Sequence, residues 1–137
     1  MRTPEPLGRA DLPAEVESVP LARRYVRDLL DRLDHKQTDD ALLLVSELFT
    51  NAVRHSDSGR HPDGRVSVAV AVANHDGTLH IDVIDAGSTG QAPRICPDVD
   101  PDSGGGRGLW LVQELSTAWG WYETPTGRVV WFQLSKT

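Results

Sequence analysis

One cysteine, Cys96, stands alone in 137 residues. Without a second thiol there is no intrachain disulfide and no paired-cysteine redox chemistry. A zinc site would have to be assembled from five His residues and carboxylates, and these fall at no recognisable ligand spacing. Basic blocks are missing too, beyond Arg23-Arg24 and nearby Arg27. Fourteen Lys plus Arg against twenty Asp plus Glu leave a net charge of −6, which disfavours direct binding of nucleic acid. No long hydrophobic run occurs: Ala41 to Val45 and Val66 to Ala73 are far short of the roughly 20 residues a membrane span needs. The N-terminus lacks the apolar stretch of a signal peptide, so a cytoplasmic protein that avoids membranes is expected. Two common nucleotide fingerprints are absent as well. There is no Gly-Lys-Ser/Thr, and no Gly-x-Gly-x-x-Gly leads from a strand into a βαβ unit.

What remains is 39% hydrophobic and 25% charged, the composition of one globular domain spanning 1–137. Residues 1 to 14 carry Pro4, Pro6, Gly8 and Pro13 and read as an extended arm, with Arg9 to Leu12 the one candidate for a short edge strand. From Glu17 or Ser18, the recurrence of Val19, Ala22, Tyr25, Val26, Leu29, Leu30 and Leu33 predicts a helix, with Ser18 as its N-cap. A second helix is expected from Thr38 to His55, with Asp39 and Asp40 favourable in its first turn and Ser56-Asp57-Ser58-Gly59 ending it.

Arg65 to Ala73 and Thr78 to Asp85 alternate with the period of strands around Asn74-His75-Asp76-Gly77, so they predict an antiparallel hairpin. Ala86 to Gly106 shows no apolar periodicity and reads as a long loop of the functional kind. Leu109 to Leu115 predicts a short helix, and Ala118 to Thr124 with Gly127 to Leu134 a last hairpin. Strand pairs joined by tight turns, with helices between the pairs, give an α/β two-layer sandwich: a mixed, mainly antiparallel sheet with its helices on one face.

Three constellations carry chemistry. On the second helix Glu47, Asn51 and His55, spaced four apart, form one ridge away from the apolar stripe of Leu44, Val45, Leu48 and Ala52. A carboxylate and a carboxamide one turn apart can serve Mg²⁺ with its waters, since that ion takes oxygen ligands and keeps several waters. Taken alone, the ridge also reads as a solvated helix face. Asp85-Ala86-Gly87 ends a strand, where a carboxylate can accept a hydrogen bond from an exocyclic amine and glycine lets a flat ring approach the backbone. An Asp closing a turn is the plainer alternative. Ser103-Gly104-Gly105-Gly106-Arg107-Gly108-Leu109 opens into a helix, and free N–H groups at a helix N-terminus bind phosphate oxygens, with Arg107 able to fork onto them. A flexible linker is the competing reading.

Together and in this order, Glu47-x-x-x-Asn51, Asp85-x-Gly87 and Gly104 to Leu109 resemble the N, G1 and G2 boxes of the GHKL ATPase family, which includes gyrase B, a heat-shock chaperone, histidine kinases and MutL. The resemblance spans about residues 15 to 134 and implies a Bergerat-type ATP-binding fold. Within the family, Asn51-Ala52-Val53-Arg54-His55 and Gly106-Arg107-Gly108-Leu109 look most like the anti-sigma-factor serine/threonine kinases of bacterial partner-switching systems. The resemblance implies that Asn51 holds the Mg²⁺ bridging the phosphates of ATP and that Glu47 accepts the proton of the attacking hydroxyl. It implies that Asp85 binds the adenine amine above Gly87, and that Gly104, Gly106, Arg107, Gly108 and Leu109 lie at the phosphates. Arg54 and His55 would contact phosphate or pack at the lid hinge, and residues 88–106 would be the ATP lid. Its implied partners are a sigma factor, an anti-anti-sigma protein of STAS type and a second copy of the chain.

One departure stands out: Ser88-Thr89-Gly90 follows Gly87 where the family's G1 box has a small residue, usually Gly, two places on. No helix with a phosphoacceptor His precedes the domain, which argues against a histidine kinase, and there is no room for the transducer domain of gyrase B or MutL. A module that binds ATP and sequesters a transcription partner without catalysis is the alternative function, and Glu47 argues against it because sequestration needs no base.

Overall fold

The computed structural model describes residues 5–33, 37–55, 63–73, 76–86 and 112–135. It contains β1 (Glu5–Pro13), a 3₁₀ turn (Val16–Ser18), α1 (Val19–Leu33), α2 (Thr38–His55), β2 (Arg65–Val72), β3 (Leu79–Asp85), β4 (Ala118–Thr124) and β5 (Gly127–Leu134). Residues 112–115 are also helical and are followed directly by the turn into β4. The strands form a five-stranded sheet in the order β1-β2-β3-β5-β4. Every pairing is antiparallel, so the sheet is the antiparallel limit of the mixed one expected.

Alternation decides which side of the sheet is covered. Val66, Val68 and Val70 of β2, Leu79, Ile81 and Val83 of β3, and Val130, Phe132 and Leu134 of β5 are all buried. They join a single core with Ala22, Val26 and Leu30 of α1 and Ala41, Leu42, Leu44, Val45, Leu48, Phe49 and Ala52 of α2. Both helices therefore lie on one sheet face, as a two-layer sandwich requires. The sheet's other face carries His80, which stacks on Trp131 with ring centroids 5.4 Å apart and accepts a hydrogen bond from Gln133 Nε2 at 3.1 Å.

The N-terminal segment corrects the sequence reading. It is a nine-residue edge strand and not an arm. Its prolines are tolerated because an edge strand has one side with no ladder to feed, and its register with β2 shifts between Pro6 and Gly8. Helix entry also differs. Ser18 sits inside the 3₁₀ turn that runs into α1, while Glu15, extended at φ −143° and ψ 155°, stands at the entry; Ser18 is thus not the N-cap.

Gly8 faces α1, where an added Cβ would collide with the Tyr25 hydroxyl. Gly8→Ala is accordingly expected to cost about 1–3 kcal/mol, the usual scale of overpacking. Tyr25→Phe, which removes the colliding oxygen, should restore most of it in the double variant; urea midpoints of the four proteins measure the coupling.

On the opposite face of the same edge, Arg9 Nη2 donates to Ser67 Oγ at 3.2 Å. The Ser67 hydroxyl in turn donates to Asp11, and Arg9 Nε also reaches Asp11 at 2.9 Å. The Ser67 hydrogen bond, followed by that from Arg9, holds the Asp11 carboxyl below its ordinary value. A depressed carboxylate contributes stability above its unfolded-state pKa and loses it as the pH falls through the lower folded-state value. Asp11→Asn should therefore cost about 0.5 kcal/mol at neutral pH, since the group is largely exposed. Wild type and variant should converge in denaturant midpoint as the pH falls below the ordinary carboxylate range.

Candidate functional site

The ridge on α2 exists because the helix runs unbroken from Thr38 to His55 with its buried apolar residues on one side. Glu47 and Asn51 are half-buried and Arg54 and His55 exposed, and none of the four belongs to the core. Ser46 is turned elsewhere: its hydroxyl donates to Leu42 O at 2.8 Å and accepts from Arg23 Nη1 of α1 at 3.0 Å. That contact clamps the two helices on the side away from the ridge. Arg54 and His55 lie in the last turn, where cations are favoured by the helix dipole even in a purely structural role.

Asp85 is placed by β3. Leu79, Ile81 and Val83 point to the helix layer and are buried, and Asp85, two residues on, continues the same stripe at 9% exposure. A carboxylate at the end of an inward-facing apolar row is costly to desolvate unless something engages it. α2 packs on β3, so the helix with the ridge and the strand with Asp85 belong to the same interlayer contact.

Beside Asp85 stands a residue that sequence reading passed over. In the β3·β5 register Asp85 is opposite Arg128, and Arg128 is itself 8% exposed. Its Nη2 donates to Glu123 Oε1 of β4 at 3.0 Å, and its guanidinium lies 5.4 Å from the centre of the Trp121 ring. Parity was the available signal: Arg128 shares the inward phase of Val130, Phe132 and Leu134, so it is a charge in a core-facing position. Gly127 matters equally. A Cβ there would run into the backbone carbonyl of Asp85, so only glycine lets β5 lie this close to the acidic end of β3.

The structure thus carries Glu47, Asn51, Arg54 and His55 on α2 and Asp85 on the helix-facing side of β3. Gly87, Gly104, Gly106, Arg107, Gly108 and Leu109, with the lid at 88–106 and the departure at Ser88-Thr89-Gly90, lie outside the described residues. Among the described residues, no three His, Cys, Asp or Glu side chains gather to hold a metal ion. The oxygen donors of Asn51 and Glu47, one turn apart, suit instead a hard cation that arrives with phosphate oxygens and waters of its own. No described helix is long and apolar enough to cross a membrane.

Comparison with known proteins gives the family of the domain. A domain model described as the histidine kinase-like ATPase domain matches residues 12–134. The chain is also 31% identical over 116 residues to the serine-protein kinase RsbW of Bacillus pumilus (strain SAFR-032), covering 76% of this chain and 70% of that protein.

Proposed function

Because the chain belongs to the histidine kinase-like ATPase family, we propose that it binds MgATP between the α2 ridge and the acidic end of β3. We propose further that it passes the γ-phosphoryl group to a serine or threonine hydroxyl of an anti-anti-sigma partner of STAS type. In this reading it is an anti-sigma factor with kinase activity, cytoplasmic and homodimeric, that holds a sigma factor until the antagonist displaces it. The observation that carries the reading is the pairing of a Glu-x-x-x-Asn ridge with an inward-facing Asp on the strand beneath the same helix. The Bacillus relative is a serine-protein kinase, which favours transfer over binding alone.

Each residue then has one task. Asp85 accepts a hydrogen bond from the exocyclic amine of adenine. Asn51 holds the Mg²⁺, which when bound neutralises charge on the phosphate oxygens. Arg54 offsets the negative end of the α2 dipole, which would otherwise repel a triphosphate, and His55 stands beside it in the same last turn. Gly104, Gly106, Arg107, Gly108 and Leu109, outside the described residues, are the ones the resemblance assigns to the phosphates. The Glu47 carboxylate takes the proton as the partner's hydroxyl oxygen bonds to the γ-phosphorus and the bond to the β-phosphate oxygen breaks, leaving ADP. Phosphoryl transfer asks little covalent chemistry of the protein, so positioning and charge suffice.

The test is calorimetric titration of wild type, Asn51→Ala and Asp85→Asn with ATP, with and without Mg²⁺. Asn51→Ala should lose most of the Mg²⁺-dependent gain in affinity. Asp85→Asn should weaken adenosine and ATP alike, by about tenfold or more, the scale of a charge-assisted hydrogen bond. Equal affinity across the three proteins contradicts the site assignment.

A further inference from the structure

Among the described residues the sheet ends in two edges, β1 and β4, and the chain treats them differently. β1 is guarded. Pro6 and Pro13 remove donors from it, Glu5, Arg9 and Asp11 set charges along it, and its register with β2 breaks between Pro6 and Gly8. Prolines, charges and irregularities are the devices that keep an edge strand from pairing with another chain. β4 has only one of them. Its seven residues, Ala-Trp-Gly-Trp-Tyr-Glu-Thr, include no proline and no cation, and they pair with β5 in an unbroken register. The single charge, Glu123, is engaged by Arg128 of β5 at 3.0 Å. Trp121 and Tyr122, on opposite faces of the strand, are 38% and 49% exposed. α1 packs on β1 and α2 on β2 and β3, so the two long helices lie toward the guarded edge.

An unguarded edge is a template for one more strand, and the sequence of β4 points to a copy of itself. Antiparallel pairing about a two-fold axis at Trp121 sets Gly120 of each copy opposite Tyr122 of the other. The Trp131 ring already lies over Gly120, where an added Cβ would meet it at 2.8 Å. Tyr122 of the second copy would extend that aromatic surface across a residue with no side chain of its own. On the helix-facing side the two Trp121 rings fall opposite each other. Glu123 falls opposite Trp119 and not opposite its own counterpart, which avoids a like-charge pair.

Resting on the homodimeric reading above, we propose that β4 is the strand through which two copies of the chain join, merging their five-stranded sheets into one antiparallel sheet. A contact one strand long sits at the small end of specific interfaces, below about 1,200 Å², so the dimer forms and dissolves with concentration.

The test is sedimentation velocity of the full chain over a concentration series, with thermal unfolding of every variant recorded alongside. Wild type should pass from monomer to dimer as the concentration rises. Tyr122→Lys, which supplies the missing guard, should raise the dissociation constant by about tenfold or more. Glu5→Lys, a charge change at the guarded edge, should leave it within about twofold. In a Cys96→Ser background, Trp121→Cys should cross-link to its own copy under mild oxidation, since directly opposed Cβ atoms lie about 5 Å apart. Thr124→Cys, which the register sets opposite Ala118, should not.

A dimer as tight in Tyr122→Lys as in wild type, with no cross-link at position 121, overturns the proposal by placing the contact elsewhere. If Tyr122→Lys fails to fold, the two cysteine variants decide alone. Failure of the underlying reading looks different: wild type would stay monomeric throughout, which removes the second copy altogether and leaves the edge to a strand from another protein.

Discussion

Glu47→Gln is expected to leave MgATP affinity within about twofold of wild type while lowering phosphoryl transfer by about 10²–10⁴-fold, the usual contribution of a general base. The affinity half follows from the structure: Glu47 is half-buried on the ridge and outside the core, and Gln keeps its size and helix propensity. The rate half follows from chemistry, since a carboxamide cannot take up the hydroxyl proton. Single-turnover transfer from radiolabelled ATP to a candidate antagonist measures it. Transfer at the wild-type rate would return Glu47 to an ordinary helix surface. Wild-type protein that binds MgATP and phosphorylates no partner would instead favour sequestration without catalysis.

Gly127→Ala is expected to disable the base end of the site without altering any side chain that binds nucleotide. The added methyl would meet a backbone carbonyl, that of Asp85, and comes close to the Cα of Ala86 as well, at 3.2 Å. Neither can rotate away as a side chain would. The strands must separate where β3 ends, which moves Asp85 and loosens Arg128, its partner in the register. A stability loss of about 1–3 kcal/mol is expected from the overpacking. Because the displacement is at the site, adenosine affinity should fall by about tenfold or more even under conditions where the variant is fully folded. Gly8→Ala, at the far edge of the sheet and against the end of the Tyr25 side chain, should lose stability with adenosine affinity intact. Comparing the two separates damage to the fold from damage to the site.

Local patterns carried most of the architecture. The α2 range was readable closely because an apolar stripe, an acidic first turn and a Ser-Asp-Ser-Gly break coincide. The β4·β5 hairpin was equally legible, and its observed limits Ala118–Thr124 and Gly127–Leu134 match the alternation. β1 was not, because Pro6, Gly8 and Pro13 are breakers in isolation; their tolerance depends on the strand's place at the sheet edge, which is a tertiary fact. Helix entry at Glu15 was missed for a related reason: a 3₁₀ turn ahead of α1 has no apolar period to announce it.

For the candidate site, Glu47, Asn51 and Asp85 were singled out by their order along the chain and the resemblance it carries, and the structure gives their places on α2 and at the end of β3. Parity marks Arg128 as a charge in a core-facing position, but its place opposite Asp85, and the role of Gly127, come only through register. Which residue of β5 opposes Asp85 depends on β5 inserting between β3 and β4, and no local signal in either strand specifies that order.

The central claim is that α2 and the end of β3 grip the same nucleotide. Backbone amide chemical shifts followed through a titration with MgATP test it most directly. The account predicts that the amides of Asn51 on α2 and of Asp85 and Ala86 at the end of β3 move together along one binding curve, with a single Kd. His80 and Trp131, on the sheet's other face, should stay in place. Curves with different midpoints at the two segments, or a response centred on His80 and Trp131, would contradict it.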